Sequence, residues 1–202
     1  MLELAHKLAD NDTKFFGGWV LAGVEVHIHG TATQLENKTL LAKERKSMLQ
    51  VLGTAADGSI AKELRVFLVL PKRQLDSTQS AAVKAATEQA PSAKPHSEAK
   101  ESNAHANAHA GTLLAEHVFT VDEVRNYVAF TGDENIIHKG EHPIVPGLCM
   151  TAWLQSALAA RELDWRVSFL APVFTGDTLC VYQNGAELQA YVGSSNVFTI
   201  KL

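Results

Sequence analysis

The segment 147–161, GLCMTAWLQSALAAR, is apolar on nearly every side if it forms a helix. A helix at a protein surface carries only one apolar stripe, so this helix must be buried on most of its sides. Four short stretches with the composition of β-strands follow it, at residues 165–171, 178–182, 187–192 and 197–202. A buried helix followed by a meander of strands predicts an α+β fold, in which a curved antiparallel sheet wraps around the helix.

A second helix is predicted just before this segment. Thr120 and Glu123 have the spacing of a capping box, in which each side chain bonds a free backbone amide of the first turn. Apolar residues then recur at helical spacing, at Val121, Val124, Tyr127 and Val128. The helix is expected to end near Thr131-Gly132, and a strand is expected over residues 112–119.

Residues 1–72 have the pattern of strands. Apolar and polar residues alternate in VEVHIH, residues 24–29, as in a half-buried strand. Asp57-Gly58 separates two apolar runs and predicts a hairpin, because tight hairpin turns need positive φ values that this pair tolerates. This part contains no apolar helix comparable to residues 147–161, and its first residues resemble neither a signal peptide nor a membrane span.

Residues 73–112 are of low complexity, dominated by Ala, Ser, Lys, Glu and His. Such a stretch has too little apolar surface to offset the entropy of ordering it, so it is predicted to be a flexible linker between residues 1–72 and 113–202. His105 and His109 have helical spacing, but no carboxylate or cysteine accompanies them at ligand spacing. No metal site is therefore predicted.

The charge and the cysteine content exclude several classes of protein. A net charge of −4, with the one basic run at residues 43–46 interrupted by Glu44, argues against a nucleic-acid partner. Cys149 and Cys180 are isolated and form no disulfide framework, which favours a location in the reducing cytoplasm. No run approaches the about 20 apolar residues of a membrane span, so no membrane association is expected.

Four motifs follow one another between residues 118 and 181: FTVDEV, TGDENIIH, HPIVPG and VSFLAPVFTGDTL. With them the chain resembles the MaoC-like (R)-specific enoyl-CoA hydratase and 3-hydroxyacyl dehydratase family. The resemblance implies the hotdog fold for residues 113–202, an antiparallel sheet wrapped around a buried helix. Residues 1–72 would then be a degenerate hotdog half, whose strands extend or pair with the C-terminal sheet.

The resemblance also assigns roles to residues. Asp133 and His138 would be the catalytic pair that holds and activates one water, and Asn135 would support their loop. The backbone N–H of Gly147 would donate to the thioester carbonyl, and Thr151 is a candidate for a supporting hydroxyl on the buried helix. A carboxylate and an imidazole beside one water can divide the roles of base and acid. The N-terminus of a helix can stabilise the negative charge of an enolate.

Each of these residues also has a structural interpretation. Asp133 alone could be a turn residue, His138 an ordinary loop histidine and Gly147 a turn glycine; together with the flanking motifs they favour a catalytic site.

The chain departs from the family at Ile136, where proline is usual, and at Pro146, where histidine is more common. Only four residues separate His138 from the PIV turn, where many members carry an acyl-covering segment. The turn 174–177 is predicted to be structural.

The expected activity is the hydration of a trans-2-enoyl thioester or the dehydration of a (R)-3-hydroxyacyl thioester, carried on coenzyme A or acyl carrier protein. Neither a metal nor a redox cofactor is expected. Since hotdog proteins usually pair their sheets, a homodimer is expected. The alternatives are a hotdog thioesterase and a non-catalytic acyl-binding module.

Overall fold

The computed structural model describes residues 1–9, 19–70 and 111–202. Nearly all of the predicted linker, including His105 and His109, lies outside these ranges, and the division of the chain at residues 72 and 113 stays a prediction. Among the described residues the helices are α1 (Leu2–Ala9), α2 (Val121–Thr131), α3 (Gly147–Ala157) and a 3₁₀ helix, Ile136–His138. The strands are β1 (Val20–Ile28), β2 (Gln34–Ala42), β3 (Lys46–Thr54), β4 (Ile60–Val69), β5 (Thr112–Val118), β6 (Leu163–Phe169), β7 (Thr178–Asn184), β8 (Glu187–Val192) and β9 (Ser195–Lys201).

These strands form one antiparallel sheet in the order β2-β3-β4-β1-β6-β9-β8-β7-β5. The two halves meet where β1 pairs with β6, in a register that runs from Gly23 opposite Ser168 to Ile28 opposite Leu163. Counted outward from this junction, the first four strands have the same order on both sides, β1-β4-β3-β2 and β6-β9-β8-β7, and β5 adds a fifth strand beyond β7. In each half a helix precedes the junction strand along the chain, α1 before β1 and α3 before β6. The N-terminal strands therefore pair with the C-terminal sheet, as predicted.

The two predicted helices of the C-terminal half are present. The capping box of α2 is complete, because the Thr120 hydroxyl oxygen accepts from the Glu123 amide at 3.1 Å and the Glu123 carboxylate accepts from the Thr120 amide at 2.7 Å. Gly132 ends the helix in the left-handed conformation, with φ of 72°. Helix α3 is buried against the sheet, as its composition predicts, and its buried residues are Leu148, Cys149, Met150, Thr151 and Leu154.

The hairpin predicted at Asp57-Gly58 joins β3 to β4, although its loop is longer than a two-residue turn. Asp57 Oδ1 accepts from the backbone amide of Ser59 at 2.9 Å and from its hydroxyl at 2.7 Å. These hydrogen bonds favour the charged carboxylate and lower the pKa of Asp57. Gly58 takes the positive φ, at 85°, that the turn needs.

Two elements of the N-terminal half were not predicted. The strand β2 has a mostly exposed and polar sequence and lies at the edge of the sheet, so alternation is weak there. The second is α1, which buries Leu4, Ala5 and Leu8 against β2, β3, α2 and α3. Because it carries Glu3, His6 and Lys7, it is amphipathic and is not an apolar helix comparable to residues 147–161. At eight residues, α1 is too short for helical periodicity to be read from the sequence.

One apolar core runs through both halves, and residues of α1, of the junction strands and of α3 all belong to it. None of the helices in the described ranges combines the length and the apolar content needed to cross a membrane.

Replacing Leu4 by alanine tests whether α1 is an integral part of this core. The Leu4 side chain is 0% exposed, whereas Leu2 on the same helix is 47% exposed. We expect Leu4→Ala to lower the free energy of unfolding by about 2–5 kcal/mol, because it leaves a cavity, and Leu2→Ala to change it by less than about 0.5 kcal/mol. Urea denaturation of the two variants measures the difference, and equal effects would contradict the packing of α1.

Candidate active site

The loop between α2 and α3 holds the three polar side chains that the sequence predicted for the site. The left-handed cap at Gly132 turns the chain sharply, so that Asp133 follows directly on the end of α2. Asn135 then caps the 3₁₀ helix, its side-chain oxygen accepting from the amide of Ile137 at 3.5 Å. His138 ends this short helix and is directed inward, with 8% of its surface exposed.

The imidazole of His138 is fixed in one tautomer. Its Nδ1 lies 2.7 Å from the backbone carbonyl oxygen of Ile144. A carbonyl oxygen can only accept a hydrogen bond, so Nδ1 carries the hydrogen. In the neutral ring Nε2 is therefore unprotonated, with its lone pair directed away from the Ile144 carbonyl.

The structure brings Asp133 and His138 together. Asp133 Oδ2 lies 3.6 Å from His138 Nε2, too far for a direct hydrogen bond. When the imidazole is neutral, both atoms are acceptors, and one water with two protons can donate to both. This geometry suits a pair that holds a single water molecule.

Asn135 connects the carboxylate to the N-terminal half. Its backbone amide donates to Asp133 Oδ1 at 3.0 Å, while its side-chain amide donates to the Trp19 carbonyl oxygen at 3.1 Å. The residue is buried, so water competes little for the groups that form these two hydrogen bonds. Ile136 is 75% exposed and does not line the cavity described below.

Gly147 is the first residue of α3, and the side chains of Leu21 and Phe169 lie directly against it. A Cβ atom at position 147 would stand 2.7 Å from Leu21 Cδ2 and 2.7 Å from Phe169 Cζ, so a larger residue here would have to displace these two side chains. Pro146 has no side-chain donor or acceptor, and no side chain of the described residues caps this helix. The amides of its first turn are therefore not used by a side-chain cap.

Thr151 does not reach the cavity. Its hydroxyl donates to the Gly147 carbonyl oxygen at 2.9 Å, one turn earlier on α3, and the residue is buried. It therefore supports the first turn of α3 rather than presenting a hydroxyl to a ligand.

A cavity of about 420 Å³ adjoins Asp133, His138 and Gly147, and most of its lining is apolar. Both halves of the chain contribute: the N-terminal half provides side chains from α1, β1, β3 and β4, including Leu8, Leu49 and Val66. Val66 and Leu49 are almost fully buried, whereas Leu170 is 59% exposed and marks the side that opens to solvent. Nothing in the sequence separates these lining residues from ordinary core residues.

Tyr127 also lines this cavity, and the sequence indicated only that it lies on the buried face of α2. Burial raises the pKa of its hydroxyl well above the ordinary range, and the charges of Cys149 and Asp133 add to the increase. The hydroxyl therefore stays protonated in the neutral range.

Comparison with known proteins shows what this architecture is similar to. No family model and no curated protein matches the sequence. A solved MaoC-like dehydratase is similar with a TM-score of 0.60 at 14% identity, over 99% of this chain and 81% of that one. A MaoC-like dehydratase from Phytophthora capsici (TM-score 0.53, 13% identity, 92% and 71% covered) and an acyl-ACP thioesterase from Bacteroides thetaiotaomicron (0.50, 13%, 91% and 74%) are also similar. At these identities the likeness bears on the fold alone, and it confirms that the chain has the hotdog fold.

Proposed function

We propose that the protein adds water to a trans-2-enoyl thioester, or removes water from a (R)-3-hydroxyacyl thioester, at the loop that carries Asp133 and His138. The observation that carries the proposal is the pair of acceptors, Asp133 Oδ2 and His138 Nε2, 3.6 Å apart beside an apolar cavity. Water addition needs one water held close to an apolar acyl chain, with a base and an acid on the same side.

The reaction balances on one water. The pair accepts a proton from the water as its oxygen bonds C3 of the enoyl group. The electron pair of the C2–C3 double bond moves toward the thioester carbonyl, and the pair then returns a proton to C2. The protonation of Asp133 and His138 is the same before and after the turnover, so no further cofactor enters the balance.

Negative charge develops on the thioester oxygen during this step, and the N-terminus of α3 is suited to stabilise it. Gly147 lines the cavity, and its amide belongs to a helix turn that lacks a side-chain cap. Free amides at a helix N-terminus and the positive end of its dipole favour a developing oxyanion.

The apolar cavity provides for the acyl chain. Each methylene transferred from water to such a surface contributes about 0.8 kcal/mol. Because α1, β3 and β4 line the buried part of the cavity, the N-terminal half would bind the chain while the C-terminal half carries the chemistry. The carrier, coenzyme A or acyl carrier protein, would lie at the open side near Leu170.

A homodimer and a cytoplasmic location remain part of this proposal. A dimer is expected because hotdog proteins usually pair the sheets of two subunits. In this chain the pairing of β1 with β6 already joins two half-sheets of one subunit. A homodimer would therefore use another surface.

A thioesterase is the second candidate, since the solved neighbours include an acyl-ACP thioesterase. The same water, directed at the thioester carbonyl carbon instead of C3, would release the free thiol. A covalent route through Cys149 is not favoured, because the thiol is buried and does not line the cavity. Burial also raises the pKa of Cys149 to about 12, and the Glu123 carboxylate adds to the increase.

The enoyl chromophore distinguishes the candidates directly. With crotonyl-CoA and longer enoyl-CoAs we expect the absorbance of the conjugated thioester to fall without release of thiol. Asp133→Asn and His138→Ala should each lower kcat by about 100- to 10,000-fold, as for loss of a general acid or base. His142→Ala, which removes an exposed histidine of the same loop, is the control and should keep full activity.

Two other results would overturn the hydratase assignment. Release of thiol with an unchanged enoyl chromophore would identify a thioesterase. Binding of enoyl-CoA without any turnover, unaffected by Asp133→Asn, would identify a non-catalytic acyl-binding module.

Thiol alkylation tests the exclusion of Cys149. Since a raised pKa keeps the thiol protonated throughout the neutral range, we expect iodoacetamide to modify Cys149 at pH 7 only after the protein is unfolded. The rate in the folded protein should rise only as the pH approaches 12. Mass spectrometry of tryptic peptides measures the modification, and Cys149→Ala should retain activity. Rapid modification at pH 7, or an inactive but folded Cys149→Ala, would favour a covalent mechanism.

A further inference from the structure

The turn from Phe174 to Asp177 lies outside the cavity lining, yet it is closely connected to the site. Asp177 Oδ2 accepts from the Phe174 amide at 2.9 Å, and the Asp177 amide donates to the Phe174 carbonyl at 3.2 Å. Gly176, at φ of 91°, donates to the carbonyl of buried Phe119 at 3.0 Å. The turn is thus closed by one carboxylate and anchored to the residue before the cap of α2.

This turn pairs with the residues just before α3. The Val145 amide donates to the Val173 carbonyl at 2.8 Å, and the Thr175 amide donates to the Pro143 carbonyl at 3.1 Å. Between these two hydrogen bonds Ile144 lies opposite Phe174 in an antiparallel bridge. The backbone of Ile144 is therefore held on both sides by the turn that Asp177 closes.

Ile144 in turn holds His138. Its amide donates to the Ile137 carbonyl at 3.0 Å, and its carbonyl accepts from His138 Nδ1 at 2.7 Å. The carbonyl keeps the hydrogen on Nδ1 and leaves Nε2 free to accept a proton. If the carbonyl moves, the ring can rotate or exchange tautomers, and an Nε2–H ring can no longer take a proton from water.

We infer that Asp177 is a positioning residue for His138: by closing the turn 174–177 it fixes the Ile144 carbonyl, which sets the tautomer and orientation of the imidazole. The kinetic part of this inference rests on the proposed function. Asp177 does not line the cavity, so an effect on turnover must pass through the turn. The role differs from the purely structural one that the sequence predicts for this turn.

The chain offers a matched control. Asp57 closes the β3–β4 hairpin with the same kind of bond, its Oδ1 accepting from the Ser59 amide at 2.9 Å. No atom of Asp57 lines the cavity. Asp57→Ala therefore removes a turn-closing carboxylate without disturbing the candidate active site. Asp177→Asn is the second control, because it keeps an acceptor oxygen at position 177.

The experiment combines kinetics with ¹⁵N NMR of the full-length protein, the His138 imidazole signals being assigned by their loss in His138→Ala. Wild type should show a protonated Nδ1 and an unprotonated Nε2 in the neutral ring. Asp177→Ala should shift the signals toward a tautomer mixture and lower kcat about 10- to 100-fold with little change in KM, as expected for a misplaced catalytic group. Asp177→Asn and Asp57→Ala should resemble wild type in both measurements.

Three results would overturn the inference: a wild-type ring protonated on Nε2, an Asp177→Ala variant with wild-type tautomer and kcat, or an equal loss of kcat in Asp57→Ala. The first needs no variant, so the test holds even if Asp177→Ala does not fold. The tautomer is also read without turnover. If the wild-type protein hydrated no enoyl thioester, the proposed function would be wrong, but the NMR measurement would still test whether Asp177 positions His138.

Discussion

The pairing of β1 with β6 is the interaction on which the rest of the molecule depends. Its register, from Gly23 opposite Ser168 to Ile28 opposite Leu163, makes one sheet from two half-sheets that share the order of their first four strands. It also brings the start of β1 to the site, because Leu21 then lies against Gly147 and the Trp19 carbonyl accepts from Asn135. Without this junction the cavity would lack one wall, and the loop of Asp133 would lose its bond to the N-terminal half.

The two halves share an architecture and divide the proposed work. The C-terminal half presents a carboxylate, an imidazole and an uncapped helix end, while the N-terminal half contributes mostly apolar side chains to the cavity. This division is physically reasonable, because an apolar wall excludes water from the acyl chain and strengthens the electrostatic interactions of the few polar groups beside it. The bonds of Asn135 and Ile144 then keep those groups in place.

The sequence predicted the elements that carry local signals and missed those that depend on distant contacts. The capping box at Thr120, the glycine stop at residue 132 and the apolar helix from Gly147 are local patterns, and the structure contains all three. Helix α1 has only eight residues, too few for a clear helical period, and β2 is a polar strand at the edge of the sheet, so its alternation is weak. The site loop was recognised from its motif, but the bond from His138 to Ile144 and the cavity wall from the N-terminal half involve pairings that no local pattern encodes.

The most direct test of a water-adding site built across both halves is a crystal structure of Asp133→Asn with a bound enoyl thioester. The proposed geometry predicts the thioester oxygen within hydrogen-bond distance of the Gly147 amide, C3 facing His138, and the acyl chain against Leu49 and Val66. A thioester bound elsewhere, or one whose carbonyl points away from α3, would contradict it.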